Sequence, residues 1–284
     1  DFGSQYTQLL AQRVRENQTY CEIIPCDATA QEIAARKPIG IILSGGPSSV
    51  YDETAPKIDP EIYKLGVPIL GVCYGMQLTC KLFGAAVESA ERREYGPAEL
   101  TVSDAGRATP LFEGLAATSQ VWMSHGDQAT RMSEDFETLA STSTCPNAAV
   151  RMRSIPFYGI QFHPEVTHTA QGRELLTNFV VKICRSSRKW TMKNFVATSI
   201  EKIRAKVGKE RVICGLSGGV DSAVVAALIS RAIGNQLTCI CVDNGMMRKN
   251  EIENVAKVFR ENFDVNLVIA NAEDRFLSLL AGVD

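Results

Sequence analysis

Gly71-Val72-Cys73-Tyr74-Gly75 sets a cysteine between two glycines, each two residues away. The apolar run Val67 to Leu70 before it reads as a buried strand, and Met76 to Phe83 after it as the first turns of a helix. A strand that turns sharply into a helix thrusts its apex side chain out of the core, as in the G-x-S-x-G nucleophile elbow. The flanking glycines leave room for a strained apex. A helix N-terminus behind Cys73 favours the thiolate, the nucleophilic form. The chemistry this suggests is covalent attack by sulfur. Cysteine is also an ordinary small apolar core residue, and the chain has nine, so the pentapeptide alone leaves both readings open.

A nucleophilic thiol needs a base, and two histidines compete. Phe157 to Phe162 reads as a strand running into His163-Pro164-Glu165. In extended chain residues i and i+2 point to one side, so His163 and Glu165 project together, with Pro164 stiffening the link. A carboxylate beside a histidine fixes its tautomer and stabilises the imidazolium. Cys73, His163 and Glu165 then form a Cys-His-Glu triad. His125, in Trp122-Met123-Ser124-His125-Gly126-Asp127, also has a carboxylate two residues on, so spacing alone does not separate the two. The reading favours His163 and takes His125 as a loop histidine that shapes a pocket.

Ile41 to Leu43 reads as a strand ending in Ser44-Gly45-Gly46-Pro47. Free backbone N–H groups there, with Gly46 as donor, supply one half of an oxyanion hole, and the N–H of Tyr74 supplies the other. A plain Gly-Gly-Pro turn has the same composition. A second glycine loop, Ser217-Gly218-Gly219-Val220-Asp221-Ser222, lies between an apolar strand, Val212 to Leu216, and a helical run, Ala223 to Ile233. Strand, glycine loop and helix N-terminus together make a phosphate site, though without the G-K-[ST] of a Walker A loop. Leu237 to Gly245 reads as the next parallel strand, with Asp243 at the carboxyl end where open α/β sheets bind ligands. Cys239 and Cys241 lack further ligands nearby, so no metal site is expected.

GVCYG, ILSGGP, WMSHGD and FHPEVTH, in this order, resemble the triad (class I) glutamine amidotransferases. WMSHGD, HPEVTHT and the opening Asp1-Phe2-Gly3-Ser4-Gln5-Tyr6 are similar in particular to the GMP-synthetase branch of that family. The resemblance implies that the cysteine attacks the side-chain amide of glutamine, a glutamyl thioester forms and ammonia leaves. It implies that Gln77, Ser124 and His125 sit near glutamine. S-G-G-V-D-S is similar to the pyrophosphate loop of the N-type ATP pyrophosphatases, which cleave ATP between its α- and β-phosphates and adenylate a carbonyl oxygen. That similarity places ATP, with Mg²⁺, on Ser217, Gly218, Gly219, Val220, Asp221 and Ser222, and adenine and ribose near Asp243. The acceptor implied is xanthosine monophosphate, and no prosthetic group is implied. Asp1-Phe2-Gly3 also matches the magnesium-binding tripeptide of protein kinases, but no kinase glycine loop or H-R-D segment accompanies it.

The fold class expected is α/β, with two doubly wound domains. The first, residues 1–185, is a flavodoxin-like amidotransferase domain. A basic polar linker follows at 186–193, and residues 194–284 begin an adenine-nucleotide α-hydrolase-like ATP pyrophosphatase domain. Against the family, an apolar strand is missing before Asp1, and the pyrophosphatase domain breaks off at Asp284. The expectation is a fragment lacking the xanthylate-binding and dimer-forming segment of a homodimeric enzyme. A net charge of −2 offers no electrostatic case for nucleic acid. No apolar run suits a membrane span and no signal peptide is visible. Nine cysteines without framework spacing point to free thiols in a reducing compartment, the cytoplasm. Two rivals remain: a triad amidotransferase serving another acceptor, such as NAD synthesis, and a truncated product that binds without turnover.

Overall fold

The computed structural model describes residues 1–263 and 265–282, with side chains of 90–93 left aside. It divides into two compact units, Asp1–Trp190 and Thr191–Asp284.

The first unit is built on strands β1 (Ile41–Leu43), β2 (Ile69–Val72), β3 (Val87–Val102), β4 (Thr118–Ala129), β5 (Phe136–Ser141), β6 (Ala149–Met152) and β7 (Phe157–Ile160). They form one sheet in the order β1-β2-β7-β6-β5-β3-β4. β1, β2 and β7 run parallel, and the remaining pairs are antiparallel. β2 is buried at all four positions, as a strand covered on both faces must be. Its side chains alternate between two cores. Leu70 and Val72 share one core with Leu10 and Val14 of α1 (Thr7–Glu16), whereas Ile69 shares the other with Ile33 of α2 (Ala30–Ala35) and Met76 of α3 (Tyr74–Leu82). Thr29 and Glu32 close a reciprocal capping box that starts α2. Two further helices, α4 (Asp104–Arg107) and α5 (Gly172–Thr177), complete the unit.

The second unit has a parallel three-stranded sheet of β8 (Val212–Leu216), β9 (Leu237–Asp243) and β10 (Asn266–Asn271), with β9 central. Its helices are α6 (Met192–Val207), α7 (Val220–Ile233), α8 (Glu251–Asn262) and α9 (Glu273–Leu280). Cys239 and Cys241 are core side chains there, packed with Leu216, Ala226 and Phe259.

Two expectations are corrected. The strand before the elbow is Ile69–Val72 instead of Val67–Leu70, and the helix starts at Tyr74, directly after Cys73. Pairing with β7 sets that register, which local hydrophobicity did not reveal. Trp122 to Asp127 is the interior of a long strand, because β3 pairs with it across Glu94–Thr101. After Thr177 the chain widens into π-type turns over Asn178–Ile183.

Candidate active site

Cys73 lies between β2 and α3 with φ 49° and ψ −106°. That is a strained conformation for an L-residue. The turn around it is too tight for a Cβ on either neighbouring glycine. A Cβ on Gly71 would lie 2.8 Å from the Met76 nitrogen, and one on Gly75 2.5 Å from the Leu43 carbonyl oxygen. The Cys73 N–H donates to the Ile160 carbonyl (2.8 Å), tying the apex to β7.

His163 and Glu165 follow β7, and both are buried. His163 Nδ1 and Glu165 Oε1 are 2.8 Å apart. They do not meet by strand alternation: the chain bends through residues 161–166, so the extended-segment argument is corrected although the pairing stands. Other elements fix the bend. The His163 N–H donates to the Trp122 carbonyl (3.1 Å), the Thr169 hydroxyl to the His163 carbonyl (2.5 Å), and Arg13 Nε to the Glu165 carbonyl (3.1 Å). Burial disfavours the imidazolium, but hydrogen bonds and charge from Cys73 and Glu165 outweigh it and push His163 up to about 10.

The Ser44-Gly45-Gly46 loop lies against this pair. A Cβ on Gly45 would stand 3.0 Å from His163 Cε1 and 3.7 Å from Cys73 Cβ. The Gly75 N–H donates to the Ser44 carbonyl (3.1 Å), and the Phe2 N–H to the Ser44 hydroxyl (2.9 Å). Asp1-Phe2-Gly3 therefore braces this loop. Among the described residues no acceptor meets the N–H of Gly46 or of Tyr74. Unfilled donors beside a nucleophile suit an oxyanion.

His125 is a buried strand residue, which corrects its reading as a loop histidine. It stands opposite Glu94, with Nε2 3.0 Å from Glu94 Oε2 and Nδ1 3.0 Å from the Asp127 carbonyl oxygen. Burial pulls its pKa below the ordinary value, against the pull of Glu94. The Asp127 carboxylate turns to the Ser49 hydroxyl instead (2.5 Å), so the rival His125–Asp127 side-chain pair does not form. Ser124 reaches the site through its backbone: its carbonyl takes the Cys73 S–H at 3.7 Å. Gln77 Nε2 is committed to the Asp127 carbonyl (2.6 Å) and to Gln161 Oε1 (3.1 Å).

In the second unit, Gly218 takes φ 78° between β8 and α7. The Ser217 N–H donates to the Ser222 hydroxyl (3.2 Å), and the Ser222 hydroxyl to the Gly219 carbonyl (3.1 Å). Gly218, Gly219 and Ser222 line a cavity of about 390 Å³ with Arg248, Lys249 and Glu251. Val220 is exposed, and Asp221 falls in the first turn of α7. Asp243 lines a separate, adjoining cleft with Arg248, Asn250 and Glu273.

The family profile described as glutamine amidotransferase class-I matches residues 1–183. The chain belongs to this amidotransferase family. The profile described as NAD synthase matches residues 191–281. A glutamine-hydrolysing GMP synthase of Caldanaerobacter subterraneus subsp. tengcongensis is 50% identical over 283 residues, all of this chain and 55% of that protein. One from Staphylococcus aureus is also 50% identical over 283 residues, again all of this chain and 54% of the relative. The chain thus spans about half the length of the curated relatives it matches. A crystal structure from Thermoplasma acidophilum, named for one subunit of a GMP synthase, is 31% identical, with a TM-score of 0.57 over 66% of this chain and 93% of its own.

The amidotransferase site also holds residues that sequence reasoning passed over. Glu94 came to His125 only through β3–β4 pairing. Gln161 directly precedes Phe162-His163 and is wholly buried, but nothing in its local sequence marks its contact with Cys73.

Proposed function

We propose that the first unit hydrolyses glutamine and that the complete protein uses the ammonia to convert xanthosine monophosphate to GMP. The observation that carries this reading is the meeting of Cys73, His163 and Glu165 beside the unfilled N–H groups of Gly46 and Tyr74. Cys73 sulfur attacks the side-chain amide carbon of glutamine, and the two N–H groups donate to the resulting oxyanion. His163 gives its proton to the leaving nitrogen, and ammonia departs from a glutamyl thioester. Water then attacks, His163 takes its proton, and glutamate leaves as the sulfur is restored. Glu165 holds the imidazole by Nδ1 throughout. Gln77, Ser124 and His125 form the wall that receives glutamine.

The second unit is assigned ATP, entering with Mg²⁺ as substrate. Ser217, Gly218, Gly219, Val220, Asp221 and Ser222 form the pyrophosphate loop, with Arg248 and Lys249 on the same cavity to balance phosphate charge. Asp243, one cleft away, takes the ribose side. The NAD synthase match of this unit suits a different adenylated acceptor; the chain-long likeness to GMP synthases favours xanthylate. A cytoplasmic homodimer is the assembly proposed, and nine free thiols suit that setting. Full-length protein given glutamine, ATP and xanthylate should form GMP, AMP and pyrophosphate. Amination of nicotinate adenine dinucleotide in place of xanthylate, or release of ADP and orthophosphate, would overturn the reading.

A further inference from the structure

A chain of buried amides ends on the Cys73 sulfur. The Asp127 carbonyl can only accept, so Gln77 must present Nε2 to it (2.6 Å). That orientation gives the second Gln77 N–H to Gln161 Oε1 (3.1 Å). Gln161 is thereby turned so that its own Nε2 faces Cys73 Sγ at 3.6 Å. Gln161 is wholly buried and Gln77 nearly so, which leaves little room for either amide to flip. The backbone on both sides is held as well: the Gln161 N–H donates to the Ala148 carbonyl (2.9 Å), and the Gln77 N–H to the Cys73 carbonyl (3.0 Å).

The sulfur also faces an acceptor, the Ser124 carbonyl. That carbonyl favours the thiol, which can donate to it. An amide N–H favours the thiolate, which can only accept. We propose that Gln161 is a positioning residue that holds the Cys73 sulfur as thiolate, with its amide oriented by Gln77 and, through it, by the Asp127 carbonyl. This rests on Cys73 being the nucleophile. It gives Gln77 Nε2 a role in orienting the nucleophile. The attack itself gains in two ways: the sulfur carries more negative charge before substrate arrives, and the N–H fixes where the lone pair points.

The test is alkylation of the protein by iodoacetamide from about pH 5 to about pH 9, with the labelled cysteine identified by mass spectrometry. Gln161→Met keeps the volume and removes the N–H. It should move the alkylation midpoint of Cys73 upward by about one pH unit, roughly a tenfold loss of thiolate at any pH below it. Gln77→Met leaves the Gln161 amide in place but unoriented and should move the midpoint the same way by less. Thermal midpoints show which variants are folded, and either folded variant suffices. A folded Gln161→Met, or a folded Gln77→Met, with the wild-type profile overturns the inference alone. Labelling of another cysteine in the wild-type protein overturns the nucleophile assignment, and the inference with it.

Discussion

At φ 49° Cys73 carries backbone strain on the order of 1–3 kcal/mol, held by the N–H bond to Ile160 and by the start of α3. Strain kept at one cysteine out of nine is the residue-scale argument for its role. Cys73→Ala should lower glutamine hydrolysis by on the order of 10⁴-fold or more. A glutamine-analogue electrophile should label Cys73 and spare Cys80 and Cys21. Burial pushes the Cys80 thiol up to about 12 and raises that of Cys21, so neither supplies thiolate near neutral pH. Mass-spectrometric mapping of the label checks this. His163→Ala should cut kcat far more than His125→Ala, because His163, unlike His125, shares a hydrogen bond with Cys73. A larger kcat loss in the His125 variant would exchange their roles. The raised pKa of His163 also has a consequence for stability. A group whose folded pKa rises from about 6.5 to about 10 stabilises fully below the first value and not at all above the second. The thermal midpoint of wild type should therefore fall more from pH 6.5 to pH 10 than that of His163→Gln. Parallel curves would show that the ring does not gain its proton from the fold.

At the scale of elements, the elbow works because β2, α3 and the Ser44 loop leave no space between them. Gly75→Ala would drive a Cβ to 2.5 Å from the Leu43 carbonyl oxygen, a backbone atom that cannot swing aside. Such overpacking costs about 1–3 kcal/mol. Gly75→Ala should lower the thermal midpoint and kcat together, since the elbow must open to admit the methyl group. Calorimetry with glutaminase assays checks both, and an unchanged kcat would mean that the apex geometry is not critical. The elements were unevenly legible in the sequence. The elbow stood out because glycine spacing and an apolar run mark it locally. The setting of His125 did not, because its strand is defined by partners 31 residues away at Glu94. The bend after β7 was misread as extended chain, since the bonds to Trp122, Thr169 and Arg13 that impose it come from distant segments.

For the whole molecule the division into two compact units implies separable chemistry. In the full-length protein Asp221→Ala and Ser217→Ala should abolish ATP-dependent adenylation while glutamine hydrolysis survives. Chromatography of AMP, pyrophosphate and glutamate measures both halves in one reaction. Loss of both activities in Asp221→Ala would mean that the first site depends on an occupied second site.

The elbow at Cys73, the pairing of His163 with Glu165, the two glycine loops and the α/β class all follow from the sequence alone, because each is written in a few adjacent residues with strong local rules. Glycine permits what other residues cannot, and apolar runs must be buried. Tertiary structure alone decided the rest. It turned the Asp127 carboxylate to Ser49, gave His125 to Glu94, and aimed Gln161 at sulfur. Each of these depends on which strands pair and in which register. A hydrogen bond between residues 88 apart has no local signature and exists only once the sheet has paired β2 with β7.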